Sequence, residues 1–214
     1  MNEPRLIKGF DFLAPFYDVL VKLFFGHSIL KAQTHFLSEI KNAKTVLIFG
    51  GGTGRLLLEC LKINNKANYC YVDISPKMIK QTKQKTSHTN VKFIIGSYNE
   101  IPKQYFDIII TPFVLDCFRQ NELTDQVVSM LKIRLAPNGK WLFSDFNNSK
   151  KSTVANIFSR ITIRFLYFIF NIICGLEIIK LPDFKQAFKQ NSLVRTKHQE
   201  FRNELLASSV YCNR

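Results

Sequence analysis

The hydrophobic pattern along the chain changes period at residue 45. Before it, over 9–42, apolar side chains recur at three and four: Phe16, Val19, Leu20, Leu23 and Phe24, then Ile29, Leu30, Phe36, Leu37 and Ile40. That spacing predicts a helical cap. Gly26-His27-Ser28 predicts a break between two helices, with Ser28 capping the second. After it come short runs rich in apolar and β-branched residues at 45–49, 68–72, 91–95, 106–110 and 140–144. The most continuous of these read as strands buried on both faces. Helices are predicted between them: one from about 55 to 62, one opened by Ser75 as N-cap with Pro76 at its first position, and one over 122–135 stopped by Pro137-Asn138-Gly139. Strands alternating with helices imply right-handed crossovers and a parallel sheet covered on both faces. Beyond 146 the pattern predicts a long apolar helix over 152–175, a turn at Leu181-Pro182-Asp183, a short helix over 184–190, and two strands at 194–201 and 204–211 forming a hairpin. The expected fold is α/β, a Rossmann-like doubly wound, mostly parallel seven-stranded sheet ending in an antiparallel hairpin. It forms a single domain divided into a cap (9–42), a core (45–146), an apolar insert (152–190) and terminal strands (194–212).

Composition narrows the function. With 214 residues and 46% hydrophobic content, the chain is neither disordered nor low-complexity. The net charge of +14 fits a lysine-rich soluble surface, or an anionic partner such as nucleic acid or anionic lipid. Lysines are spread along the chain, and the densest stretch, 77–92, reads as a solvated helix face. The five cysteines share no CxxC spacing and no histidine at ligand distance, so they read as small apolar residues of a reducing, cytoplasmic compartment, and no metal site is expected. Asp11 and Asp18 interrupt the first apolar stretch, which argues against a signal peptide. The run at 165–176, bounded by Arg160, Arg164 and Glu177, is shorter than the ~20 residues of a membrane span. Peripheral membrane contact stays open.

Two motifs carry chemistry. Gly50-Gly51-Gly52-Thr53-Gly54 follows the first strand, where glycine lets the chain turn tightly and a ligand approach the backbone, and the next helix offers amide donors. The spacing is GxGxG; the dinucleotide fingerprint would need a glycine where Arg55 stands. Asp73 closes the second strand, nineteen residues after Gly54 (73 − 54), placed to accept hydrogen bonds from both hydroxyls of a ribose.

Together these segments resemble the class I S-adenosylmethionine-dependent methyltransferases. The stretch from Val46 to Gly54 is similar to their first motif, and Tyr71-Val72-Asp73-Ile74-Ser75-Pro76-Lys77-Met78-Ile79 to the ribose-binding acidic loop. Phe106 to Ile110 and Leu135 to Leu142 resemble the fourth- and fifth-strand motifs. Phe12-Leu13-Ala14-Pro15-Phe16-Tyr17-Asp18 resembles the opening of the quinone-biosynthesis-like branch, in which an aromatic residue helps close the cofactor site. The resemblance implies S-adenosyl-L-methionine as cofactor, held by Tyr17, Phe49, Gly50, Gly51, Gly52, Gly54, Asp73, Ile74, Met78, Ser97, Tyr98, Thr111 and Phe113. Two positions depart from the family. Ile48 stands where an acidic residue is usual, and Gly96-Ser97-Tyr98 replaces an aspartate near the adenine, with Ser97 able to accept a hydrogen bond and Tyr98 able to stack.

The loop after the fourth strand, Thr111-Pro112-Phe113, lacks the Asn-Pro-Pro-Tyr signature of amino-group methylation. The acceptor expected is therefore a small, apolar or aromatic molecule methylated by direct displacement, with nucleic acid disfavoured. For a hydroxyl acceptor a base is needed. Asp116, Asp145 and His35 are the candidates, and the sequence does not choose among them. The apolar stretch 157–176 suits packing, a lid over a greasy acceptor, or shallow membrane insertion flanked by Arg160, Arg164 and Lys180. The competing readings are an RNA methyltransferase, from the charge, and a non-catalytic membrane-peripheral relative, from Ile48 and the apolar stretch.

Overall fold

A computed structural model describes residues 3–147, 170–176 and 180–214. Seven strands form one sheet in the order β3-β2-β1-β4-β5-β7-β6. They are β1 (Thr45–Phe49), β2 (Asn68–Asp73), β3 (Val91–Ile95), β4 (Phe106–Pro112), β5 (Leu135–Phe146), β6 (Leu193–Phe201) and β7 (Leu206–Asn213). The first five pair in parallel, and β7 runs against both β5 and β6. The helices are α1 (Glu3–Leu13), α2 (Tyr17–Phe25), α3 (Ser28–Thr34), α4 (Arg55–Ile63) and α5 (Pro76–Lys85), then α6 over 120–132 and α7 (Phe184–Gln190).

Strand parity explains the two-sided core. Val46 and Ile48 join Tyr69, Tyr71, Ile108, Ile110 and Leu142 on one face, against Leu56, Leu57 and Cys60 of α4. Leu47 and Phe49 join Cys70, Val72, Ile109, Trp141 and Phe143 on the other, against Val127 and Leu131 of α6 and Phe188 of α7. Ile48 is wholly buried, so an acid there would enter the hydrocarbon core unpaired. Ser75 caps α5 as expected: its Oγ accepts from Met78 N–H at 3.1 Å.

The structure revises several element bounds. The cap begins at Glu3, not residue 9, and breaks a first time between Leu13 and Tyr17. His27, not Ser28, sits at the N-cap of α3, and no side chain bonds there. α6 spans 120–132 with a wide π-type turn at Leu123–Val128, ending before the predicted 135. β5 begins at Leu135, which pairs with Phe106, so Pro137-Asn138-Gly139 forms an irregular stretch within a strand. Of the predicted apolar helix over 152–175, only a helical segment at 170–174 falls among the described residues; Arg160 and Arg164 lie outside them. No described helix is long and apolar enough to cross a membrane.

Candidate active site

Crossover connections bring the ends of β1, β2, β3 and β4 to one edge, where they border a cavity of about 870 Å³. The cap helices form the opposite wall, with Leu13, Tyr17, Leu20, Val21 and Phe24 facing in.

The glycine turn is built by contact on one side and space on the other. Gly50 has φ +71°, and a Cβ there would stand 2.3 Å from Val114 Cγ2. Gly52 has φ +64°, and a Cβ there would meet nothing within 4 Å. Both lie in the left-handed region that a side chain disfavours. Gly52 N–H donates to Asp73 Oδ2 at 2.7 Å, and Ser75 N–H donates to Asp73 Oδ1 at 2.9 Å. The Asp73 carboxylate is buried, and desolvation pushes its pKa up to about 6 despite these two donors. A carboxylate has about four acceptor positions, so two remain toward the cavity it lines.

Two cap acids that the pattern reading treated only as interruptions tie the cap to this turn. Asp18 Oδ1 accepts from Thr53 Oγ1 at 2.6 Å, and Lys85 Nζ donates to Thr53 O at 2.8 Å and reaches Asp18 Oδ2 at 3.4 Å. Asp11 Oδ1 accepts from Ser75 Oγ at 2.5 Å and from Lys77 N–H at 3.1 Å. The links made by these two acids span 35 to 67 residues of sequence, so no local pattern announces them.

The β4 loop supplies the rest. Phe113 has φ 56°, a conformation that costs about 1–3 kcal/mol in a non-glycine residue. Its N–H donates to Ser144 O at 2.7 Å, and its ring packs edge-on against Phe146. Asp116 lines the cavity. Behind it Asp145, fully buried, accepts the N–H groups of Asp116 at 3.2 Å and Phe146 at 2.8 Å. Burial, and then the Asp116 charge, push the Asp145 carboxyl well above the ordinary carboxylate range. Burial chiefly, with Asp116 and Asp145 adding, also pushes the Cys117 thiol upward, away from the reactive thiolate. The Tyr17 phenol is likewise raised, by burial and then by Cys117, Asp116, Asp73 and Asp18.

Tyr17, Phe49, Gly50, Gly52, Asp73, Ile74, Met78, Ser97, Tyr98, Phe113 and Asp116 thus converge on one cavity. The others named from the sequence do not line it. Gly51 faces the Tyr71 ring and Gly54 faces Thr82. Thr111 is fully buried, accepting from Trp141 Nε1 at 2.9 Å. Asp145 sits one layer beneath the wall. His35, at the end of α3, packs its ring against Phe36 and Phe201. Ser97 caps the turn at Tyr98–Glu100, and Tyr98 Oη donates to Gln126 Oε1 at 2.6 Å. The apolar cap face and Gln126 were not foreseen as site residues; the helical period marks such a face as buried without saying what it meets. Phe170 and Leu176, from the described part of the apolar stretch, also line the cavity.

Comparison with known proteins follows the same lines. Residues 47–141 match the family model described as a methyltransferase domain. The malonyl-(acyl-carrier protein) O-methyltransferase of Halalkalibacterium halodurans is 34% identical over 109 residues, 48% of this chain and 39% of that protein. The ubiquinone/menaquinone biosynthesis C-methyltransferase UbiE of Azotobacter vinelandii is 25% identical over 171 residues, 76% of this chain and 66% of that protein. The chain therefore covers less than two thirds of either relative's length. Among solved structures, the Burkholderia thailandensis 1,6-didemethyltoxoflavin-N1-methyltransferase, with 1,6-didemethyltoxoflavin and S-adenosylhomocysteine bound, superposes with a TM-score of 0.65 at 12% identity, covering 96% of this chain and 86% of that one. At such identity the likeness is one of fold. Residues 47–141 thus match a methyltransferase domain, and sheet order and relatives make the chain similar to the class I S-adenosylmethionine-dependent methyltransferases.

Proposed function

We propose that this protein transfers a methyl group from S-adenosylmethionine to a small apolar or aromatic acceptor by direct displacement. The observation that carries this reading is one cavity with two unlike sides: a buried carboxylate and a glycine turn on the sheet edge, and hydrocarbon on the cap. The residues fit the nucleoside part of that cofactor. Asp73 has acceptor positions left for two sugar hydroxyls, and Gly52 leaves open the space a side chain would fill. Ile74, Met78 and Tyr98 offer apolar surface to a planar base. When bound, the cofactor supplies a methyl group already activated by its sulfonium charge.

The protein's own part is positioning and drying. Holding two reactants in line can lower a barrier by up to roughly 7–11 kcal/mol. The rings of Phe24, Phe25, Phe113 and Phe146 with Leu20 and Ile29 give the acceptor an apolar berth from which water is displaced. Asp116 is the carboxylate on that wall and would take the proton of a hydroxyl acceptor, a role commonly worth about 10²–10⁴-fold. Asp145 behind it accepts the Asp116 N–H and so fixes the backbone of that residue.

Calorimetric titration with S-adenosylhomocysteine tests the first half of this reading. Saturable one-to-one binding is expected; no heat and no thermal shift at millimolar ligand would refute it. Mass spectrometry of small-molecule extract incubated with protein and isotope-labelled cofactor tests the second half. A labelled apolar product is expected, and label found only in RNA would overturn the acceptor class.

A further inference from the structure

The cap helices are apolar on two opposite sides. Phe10, Leu13, Leu20 and Phe24 face the cavity. On the other side Phe12, Phe16, Val19 and Leu23 are 63%, 59%, 67% and 75% exposed, and no described side chain covers them. Phe16, at the N-cap of α2, with Val19 and Leu23 follows the three-and-four spacing of one helix stripe, and Phe12 lies near the end of α1. Single exposed apolar residues are ordinary, but a contiguous row marks an interaction surface. Ile172, 58% exposed, lies on a segment tied to α1, its carbonyl accepting from Arg5 at 3.4 Å.

Charge decides what this surface meets. Asp11 and Asp18 are the only acids in residues 4–31. Both are turned inward, engaged by Ser75 and Lys77 and by Thr53 and Lys85. Lys8, one turn before Phe12, and Lys22, beside Leu23, are exposed. The outward face is thus aromatic and aliphatic groups edged by ammonium groups, on a chain of net charge +14. A symmetric pairing of two copies through this stripe would set lysines against lysines. An anionic bilayer surface complements it on both counts: rings and leucine enter the acyl boundary, and the lysines stay among the headgroups.

We propose that the α1–α2 face docks the protein on an anionic membrane surface, with the apolar cavity directly behind the docking helix. The inference goes beyond methyl transfer and does not depend on it, because docking is read without cofactor. Co-sedimentation with phosphatidylcholine vesicles, with and without a quarter phosphatidylglycerol, is the test. Binding to the anionic vesicles is expected, weakened by salt and absent from the neutral ones. The double variant Phe16→Ser/Leu23→Ser, and separately Lys8→Glu/Lys22→Glu, should each weaken it about tenfold or more with unchanged S-adenosylhomocysteine affinity and melting temperature. Failure of the wild type to bind, or undiminished binding by both variants, overturns the proposal. So does a dimer that Phe16→Ser/Leu23→Ser dissociates, since the stripe would then belong to a second copy. Failure to bind S-adenosylhomocysteine with vesicle binding intact would refute the proposed reaction alone.

Discussion

Replacing Asp73 by asparagine separates the two roles the structure gives its carboxylate. Burial raises its pKa from 3.8 to about 6, so the ionised form costs the native state about 3 kcal/mol at neutral pH, at about 1.4 kcal/mol per unit. The sign follows from linkage. The stabilisation that the raised pKa confers through the bound proton is complete below pH 3.8 and lost as pH rises through 6. Asp73→Asn removes the buried charge and, with it, this pH dependence. It also sets an amide donor against Gly52 N–H or Ser75 N–H, since asparagine has one acceptor oxygen for the two. A lost buried acceptor costs about 1–3 kcal/mol, so the two effects nearly cancel. Stability at neutral pH should stay within about 2 kcal/mol of the wild type, a few degrees in a melting scan. Affinity for S-adenosylhomocysteine should fall roughly tenfold to a hundredfold, the loss of a charge-assisted bond of about 1.5–3 kcal/mol. Wild-type affinity should fall as pH drops through 6, whereas that of Asp73→Asn should stay flat. A variant that melts far lower yet binds the ligand as well as the wild type would reduce the carboxylate to a clasp on the glycine turn and refute the reasoning.

Other substitutions probe neighbouring parts. Gly52→Ala puts its Cβ into open space, so the fold should survive with about 1–2 kcal/mol of left-handed strain while ligand affinity drops; Gly50→Ala drives into Val114, and thermal denaturation should show it much less stable than Gly52→Ala. Asp116→Asn should leave S-adenosylhomocysteine affinity intact in calorimetry yet slow methylation of a hydroxyl acceptor about 10²–10⁴-fold; equal rates would remove the base role. Thr53→Val deletes the hydroxyl that Asp18 accepts, about 1 kcal/mol, and faster ligand release is expected in stopped-flow measurements; an unchanged release rate would show that this link does not hold the cap.

The sheet was legible because β1, β2 and β4 are buried on both faces and so cannot alternate with polar residues. Asp73 was legible because its place at the end of β2 is fixed by the crossover after the glycine turn. Strand parity, by contrast, decides which way Thr111 points, and its partner Trp141 lies thirty residues away in β5. His35 belongs to the cap that borders the cavity, but helix phase turns its ring toward Phe201. Asp11 and Asp18 looked like flaws in an apolar helix because their partners sit on the sheet edge. Phe16, Val19 and Leu23 were legible only as part of a helical apolar pattern, since periodicity shows that a face is apolar without showing what covers it.

The structure of the complex with S-adenosylhomocysteine tests the central claim most directly. The account predicts both sugar hydroxyls within hydrogen-bond distance of the Asp73 carboxylate, with Gly52 against the ligand. A nucleoside bound elsewhere, or with Asp73 contacting only Gly52 and Ser75, would contradict it.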